Sequence, residues 1–425
     1  MFYVEEIKMN CAAELLAKCG LSEPQGVDYT AGVFCAESGS FSTFESTGGF
    51  RSTAGLGTGG TAGSTAKLGV NGTFGGIGGF GSNGAGCGRR LAATGSLKGD
   101  MIQGMAVDPD FQGEDLTAKV LTHLFGIARE RGHRTLYLFT KPEKAGQFIG
   151  LGFRRVAGAR PYATLLEWGE SGVNEYMKRL AAVRKSVSQD LNGSEAGVLV
   201  MNCNPFTKGH RYLIEQAAAR KKYVFVLAVE EDVSLFPFSD RLAMLQLGTA
   251  DLENVKVLSG GRYAVSNLTF PSYFTKEENL AKAHAAVDAE LFAACIAPAL
   301  SASERFVGTE PFSQVTAVYN ETLKERLPKH KITVTEIPRL KAGGEAVSAT
   351  KVRTVLADLW RSGNLTAEAV GESSALELLL PETTLEYLKR EEMLLRLRDG
   401  LAEGETRDMQ MAEGMPSCEA REGKL

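Results

Sequence analysis

The stretch VLVMNCNPFTKGHRYLIEQAA sets Thr207, Lys208, Gly209 and His210 between an apolar run and an amphipathic one. The apolar run reads as a buried strand, NPF as a tight turn, and the remainder as a helix opening at Thr207. A helix opening carries free backbone N–H groups and the positive end of the dipole, so it holds anions. Gly209 lets the backbone come close to a phosphate, and Thr207 and His210 add side-chain donors to the same pocket. Further on, AVSATKVRTVL gathers Ser348, Thr350, Lys351 and Arg353 at a second helix opening, after a Gly-Gly pair. Hydroxyls and cations placed there suit a polyphosphate leaving group. Between the two, RFVGTEPF reads as a short strand ending at Gly308, Thr309 and Glu310, a sheet-edge position for reading adenine or ribose. Cys203, inside the first turn, has no paired base nearby in sequence and reads as packing. Arg241, in FSDRLAML, either orients the nucleotide or its own loop, or forms an ion pair with Asp240 or a neighbour.

These residues need a scaffold that brings distant helix openings together. After AGVLVMN, strands alternate with helices through YVFVLAV, VKVL, RFVG and KITVTEI, the pattern of a parallel sheet with helices on both faces. Nucleotides bind at the carboxyl ends of such strands. Ahead of it the order is strands, then helix, strand, helix, strand, an α+β domain ending near Trp168. Its first helix puts Leu116, Val120, Leu121, Leu124 and Ile127 on one face. The expected organisation is therefore an α+β domain over 1–168, a helical linker over 169–193, an α/β domain over 194–395 and a disordered tail over 396–425. In the linker helix Tyr176, Leu180, Ala181 and Val187 share a face. Residues 41–90, crowded with Gly, Ser, Thr and Ala, have too little apolar surface to offset ordering and read as a flexible insert at a hairpin tip. A phosphate loop would need a GK[ST] ending that this segment lacks.

Composition narrows the classes. A chain of 425 residues suits two or three domains. Lys plus Arg number 47 against 51 Asp plus Glu, and a net charge of −4 offers no field for a nucleic-acid backbone. Hydrophobic residues are 44% and charged residues 23%, a globular balance. Seven cysteines without a CxxC pair predict neither a zinc knuckle nor a disulfide framework. No run approaches the roughly 18 apolar residues of a membrane span, and the N-terminus has no signal-peptide pattern, so a cytoplasmic protein without membrane attachment is expected.

The segment VDPDFQGEDL, the helix after it and FIGLGF resemble a GNAT-type acetyltransferase domain. That family's Q/R-x-x-G-x-G/A turn offers amides to the pyrophosphate of acetyl-CoA; here Asp110 and Asp115 stand at its ends, and carboxylates there repel a pyrophosphate. The later pair, TKGH after a strand and SATKVR at a helix opening, resembles the nucleotidyltransferase superfamily, which implies a Rossmann-like domain. MNCNPFTKGHRYLIEQAA, EEDVSLFPFSDRLAMLQLGTADL, SNLTFPSYFTK and RFVGTEPFSQVTAVYN are similar to one family within it, the [citrate (pro-3S)-lyase] ligases, which also carry a GNAT-like N-terminal domain. The resemblance implies a two-step ligase: acetate attacks the α-phosphorus of ATP, giving acetyl-adenylate and pyrophosphate. The thiol of the CoA-like group on the citrate lyase acyl carrier subunit then takes the acetyl group. It implies Thr207 and His210 holding the phosphates and Lys351 and Arg353 balancing the pyrophosphate. Asn204, Phe206, Lys208, Gly209, Gly308, Glu310, Ser348 and Thr350 would contact ATP, with Mg²⁺ accompanying the polyphosphate. Two alternatives stay open: an adenylyltransferase acting on a phosphopantetheine- or mononucleotide-type phosphate, and a non-catalytic CoA- or nucleotide-sensing docking protein.

Overall fold

The computed structural model describes residues 2–36, 89–187, 196–230, 234–264, 277–310 and 313–413. The N-terminal unit is a seven-stranded sheet of β1 (Phe2–Glu6), β2 (Tyr29–Ala36), β3 (Arg89–Lys98), β4 (Met101–Val107), β5 (Thr135–Thr140), β6 (Arg154–Ala159) and β7 (Ala163–Gly169), in the order β1-β2-β3-β4-β5-β7-β6. Every pairing is antiparallel except β4 with β5, which touch only at Met101↔Tyr137 and Ile102↔Leu138 before they splay. The helix Leu116–Glu130 packs on the sheet through Leu116, Val120, Leu121, Leu124 and Ala128. Ala128 takes the buried place expected of Ile127, which is only half-buried, because the apolar stripe runs every fourth residue.

Strands β2 and β3 pair as far as Ala36↔Arg89. Arg89 and Arg90, counted from sequence with the Gly-rich insert, are thus strand residues, and Arg90 reaches Asp108 at 2.7 Å. Residues 37–88, with the flexibility expected of them, lie outside the described residues, as do 265–276 and the last part of the tail.

The C-terminal unit is built on β8 (Ala196–Met201), β9 (Tyr223–Ala228), β10 (Val255–Ser259), β11 (Ala302–Gly308) and β12 (Thr333–Ile337), ordered β10-β9-β8-β11-β12 with all pairs parallel. The centre strands β8 and β9 are nearly continuous buried apolar runs, as a sheet covered on both faces requires. The chain order reverses between β8 and β11. β8 stays with β9 to Met201↔Ala228 and β11 with β12 to Gly308↔Ile337, but β8 and β11 last pair at Arg305↔Val198. Beyond that point the two strands part, and a wedge opens at the carboxyl edge of the sheet.

One apolar cluster runs through both units, joining Tyr137 and Leu165 to Val198, Phe225, Val287 and Phe292. The helix Gly172–Val187 lies in this seam with Tyr176 and Leu180 buried, while Ala181 and Val187 are half-buried. Within the described residues one helix, Leu280–Leu300, is apolar and long enough to cross a membrane, contrary to the reading of the sequence; 78% of its apolar window is buried inside the protein, where it serves as a core helix. The chain beyond 396 also differs from the expected disordered tail. The helix Glu391–Glu413 runs through its start, Leu397 is fully buried, and Arg398 Nη2 donates to Leu365 O at 2.8 Å.

Candidate functional site

At the end of β8 the chain turns through Cys203, in the left-handed region at φ 51°, and Asn204-Pro205 into the helix Lys208–Ala218. Thr207 caps that helix in extended geometry. Its Oγ1 accepts from His210 N at 3.4 Å, and His210 Nδ1 accepts from Thr207 N at 3.0 Å, so two otherwise orphaned N–H groups are satisfied reciprocally. With Nδ1 acting as acceptor, the proton of the neutral ring sits on Nε2. Burial, with help from the charge of Arg339, pulls the imidazole down to about 4, so at pH 7 it is neutral and a donor through Nε2.

The second helix opening, of Ala349–Arg361, is capped by Ser348, whose Oγ accepts from Thr350 N at 3.2 Å. Arg353 joins the two openings: Nη1 donates to Asn204 O at 2.6 Å and Nη2 to Thr350 Oγ1 at 3.0 Å. Both openings face one cavity of about 380 Å³ in the β8–β11 wedge. Of the residues expected at the site, Thr207, Gly209, His210, Gly308, Ser348 and Thr350 line it.

The others stand back from it. Phe206 is fully buried in the core and stacks under His210, with ring centroids 6.0 Å apart, so it supports the site without touching a ligand. Asn204 spends its carbonyl on Arg353 and its Oδ1 on Phe236 N at 3.3 Å. Lys208 turns outward and donates to Glu377 O at 2.6 Å. Glu310 is ion-paired with Arg339 and accepts from Ser313 N at 3.1 Å. Lys351 is ion-paired with Glu345 in the hairpin that precedes its helix. Arg353 sits at the seam between the two openings.

Sequence reasoning missed Arg339, which lines the cavity just past β12 with its Nε donating to Thr309 O at 2.9 Å. Asn320, whose Nδ2 donates to Gly308 O at 2.9 Å, was missed as well. The signal for Arg339 was its place: it stands two residues past KITVTEI, after Pro338, and the carboxyl ends of parallel strands face the site. Asn320 lies mid-helix with no local signal. Arg241 organises the wall from behind. Fully buried, it donates through Nη1 to Asn202 O (2.8 Å), Asn202 Oδ1 (2.7 Å) and Val229 O (2.8 Å), and through Nε to Phe236 O (3.0 Å). Its sequence neighbour Asp240 instead accepts from Tyr387 OH at 2.7 Å. Burial pushes the Cys203 thiol up to about 12, which leaves it protonated and unreactive at neutral pH.

In the N-terminal unit a cavity of about 630 Å³ sits where β4 and β5 splay, with Gly113, Asp115, Lys141 and Lys144 on its walls. Asp110, the other carboxylate of the turn, is bound to Arg90.

The family described as Citrate lyase ligase C-terminal domain matches residues 196–388, the span that carries both helix openings. The chain is 37% identical over 305 residues to the [Citrate [pro-3S]-lyase] ligase of Klebsiella pneumoniae, covering 71% of this chain and 84% of that protein. With the ligase of the same name from Escherichia coli K12 the identity is 36% over 306 residues, covering 71% and 82%. Among solved structures, pantothenate synthetase from Thermus thermophilus is 16% identical and covers 50% of this chain and 80% of that one, at a TM-score of 0.29. A cavity flanked by two capped helix openings, set in a chain that matches these ligases through both units, makes this protein an enzyme of the [citrate [pro-3S]-lyase] ligase family.

Proposed function

We propose that the protein uses ATP to activate acetate as acetyl-adenylate and passes the acetyl group to the thiol of the CoA-like prosthetic group on the citrate lyase acyl carrier subunit. The observation that carries this reading is the pair of helix openings on one cavity, at the point where the strand order reverses. Two convergent sets of N–H groups and hydroxyls suit a triphosphate better than any single phosphate.

In the first step a carboxylate oxygen of acetate forms a bond to the α-phosphorus. The bond from α-phosphorus to the bridging oxygen breaks, and pyrophosphate leaves with the electron pair. Such chemistry needs positioning and charge stabilisation more than a protein nucleophile. The Thr207 hydroxyl and His210 Nε2–H donate to phosphate oxygens as charge builds, and Ser348 and Thr350 hold the leaving end. Arg339 supplies a cation on the wall, Arg353 keeps the two openings in register, and Lys351 serves the pyrophosphate by exchanging Glu345 for it. In the second step the thiol sulfur bonds to the acetyl carbonyl carbon, the carbon–oxygen bond to AMP breaks, and the thiol proton passes to solvent or the departing phosphate. Among the described residues no group of three or more His, Cys, Asp or Glu side chains stands ready for a metal. Mg²⁺ would accompany the polyphosphate of ATP.

The test is acetate-dependent exchange of labelled pyrophosphate into ATP, followed by mass analysis of the carrier subunit. Exchange with acetate and gain of one acetyl group on the carrier are expected. Exchange that depends on phosphopantetheine or a mononucleotide instead of acetate would refute the reading.

A further inference from the structure

Beside the reaction cavity, a second cavity of about 350 Å³ lies where the two units meet. Thr135, Tyr137 and Ser171 line it from the N-terminal side, and Glu230, Ser259 and Tyr263 from the segments past β9 and β10. The seam helix Gly172–Val187 closes it with Tyr176 and Arg179. Both cavities therefore open on the carboxyl edge of the parallel sheet.

They are also next to each other. Asn202 lines the reaction cavity and Glu230 lines the cavity between the units. Arg241 Nη1 donates at 2.8 Å both to Asn202 O and to the carbonyl of Val229, the residue before Glu230. Arg241 thus ties together the strand ends that border the two spaces, and among the described residues none lines both.

The walls between the units are fixed by hydrogen bonds that cross from one to the other. Tyr263 OH donates to the buried Glu167 carboxylate at 2.8 Å, and that carboxylate also accepts from Val173 N at 2.9 Å. Tyr137 OH lies 3.3 Å from Tyr263 OH, and Arg262 pairs with Asp100 at 3.0 Å. On the rim, Arg179 is exposed beside the Tyr176 ring, 5.9 Å from its centroid, and makes no salt bridge among the described residues.

We propose that this cleft between the units is the entry slot for the thiol-bearing arm of the acyl carrier, an assignment that rests on the two-step reading above. The arm of a CoA-like group is a run of methylenes, amides and hydroxyls with a phosphate at one end and the thiol at the other. Aromatic faces with fixed hydroxyls suit the run, and an uncommitted guanidinium at the rim suits the phosphate. The thiol end then lies towards the ends of β8 and β9, where Arg241 links Asn202 of the reaction cavity to the residue before Glu230 of the cleft. This gives the N-terminal unit a part in the reaction: it supplies one wall of the slot.

The experiment separates the two half-reactions in the full-length protein. Acetate-dependent ATP–pyrophosphate exchange reads the first, and acetyl mass gain on the carrier subunit reads the second. Ser171→Trp obstructs the cleft from an exposed position, and Arg179→Glu reverses the charge on the rim. Each should lower carrier acetylation, as kcat/KM for the carrier, by about tenfold or more. Exchange, which does not use the cleft, should stay near the wild-type rate, with an unchanged melting temperature. Carrier acetylation unchanged in both variants overturns the proposal, and so does a loss of exchange in proportion in a folded variant. Absence of exchange in the wild-type protein would instead refute the adenylate reading before any variant is made, and the arm assignment would fall with it.

Discussion

His210 caps its helix and serves the cavity with the same ring. Nδ1 is spent on the Thr207 amide, which leaves Nε2 as the ring's remaining donor, and the cap holds the ring on the cavity wall. Replacing His210 with Ala should lower the exchange rate by about a hundredfold or more, the usual effect of removing one preorganised donor. The lost cap should cost about 1 kcal/mol of stability by urea unfolding. The depressed basicity of this ring also makes a stability prediction. Its folded-state value of about 4 lies below the ordinary 6.5, so on acidification the unfolded chain takes up the proton first. The contribution is complete above pH 6.5 and is lost as pH falls towards 4, with an upper limit of about 3 kcal/mol because the cavity face of the ring meets solvent. The urea midpoint of wild type should therefore drop more steeply from pH 6.5 to 4.5 than that of His210→Gln; equal slopes would mean the ring is not held neutral. Arg241 belongs to the same scale. Arg241→Met would strand the carbonyls of Asn202, Val229 and Phe236, and should cost about 3 to 5 kcal/mol in chemical denaturation.

At the scale of elements, the site exists because β8 and β11 part after Val198 and Arg305 while each keeps its outer partner. The wedge leaves a cavity between the strands, and the two capped helices border it from the segments that follow β8 and β12. All the residues named here lie outside 37–88. Because Ala36 and Arg89 are paired neighbours, joining them through a short turn should leave β2 and β3 in register. The shortened chain should stay soluble and keep its exchange rate to within about twofold, since loops tied to a paired hairpin add little closure entropy. Precipitation or loss of exchange would show that the segment belongs to a folded interface. The joint belongs at Arg89 and not two residues later, because Arg90 holds Asp108.

At the scale of the whole molecule, the two units are not independent beads. Tyr137 and Leu165 from the first sheet share a cluster with Phe225, Val287 and Phe292 from the second unit, and the seam helix fills the space between. Separating the chain between 187 and 196 would expose this apolar face on both pieces. Each piece expressed alone should be markedly less soluble than the intact chain and should unfold at lower urea, while co-expression should restore part of the exchange activity. Independent folding of the C-terminal piece, with full exchange and full carrier acetylation, would contradict the shared core and also remove the N-terminal wall from the acceptor slot.

Residue order alone was enough for the parallel sheet, because buried strands and amphipathic helices announce themselves through hydrophobic period. It was enough, too, for both capped helix openings, because Thr207 with His210 and Ser348 with Thr350 are local cap chemistry written within a few positions. What it could not decide is which side chains near those openings line the cavity. Phe206, Lys208, Lys351 and Arg353 lie within the same motifs as the lining residues, yet packing and ion pairing turn them to the core, to Glu377, to Glu345 and to Asn204. Arg339, Asn320 and the cleft between the units depend on residues far apart in the chain meeting across strand ends, and helix Glu391–Glu413 is held by burial of Leu397 against the second core. Local propensity acts over a turn or two, whereas direction, partner and burial of a long side chain are set by whatever the fold brings opposite it.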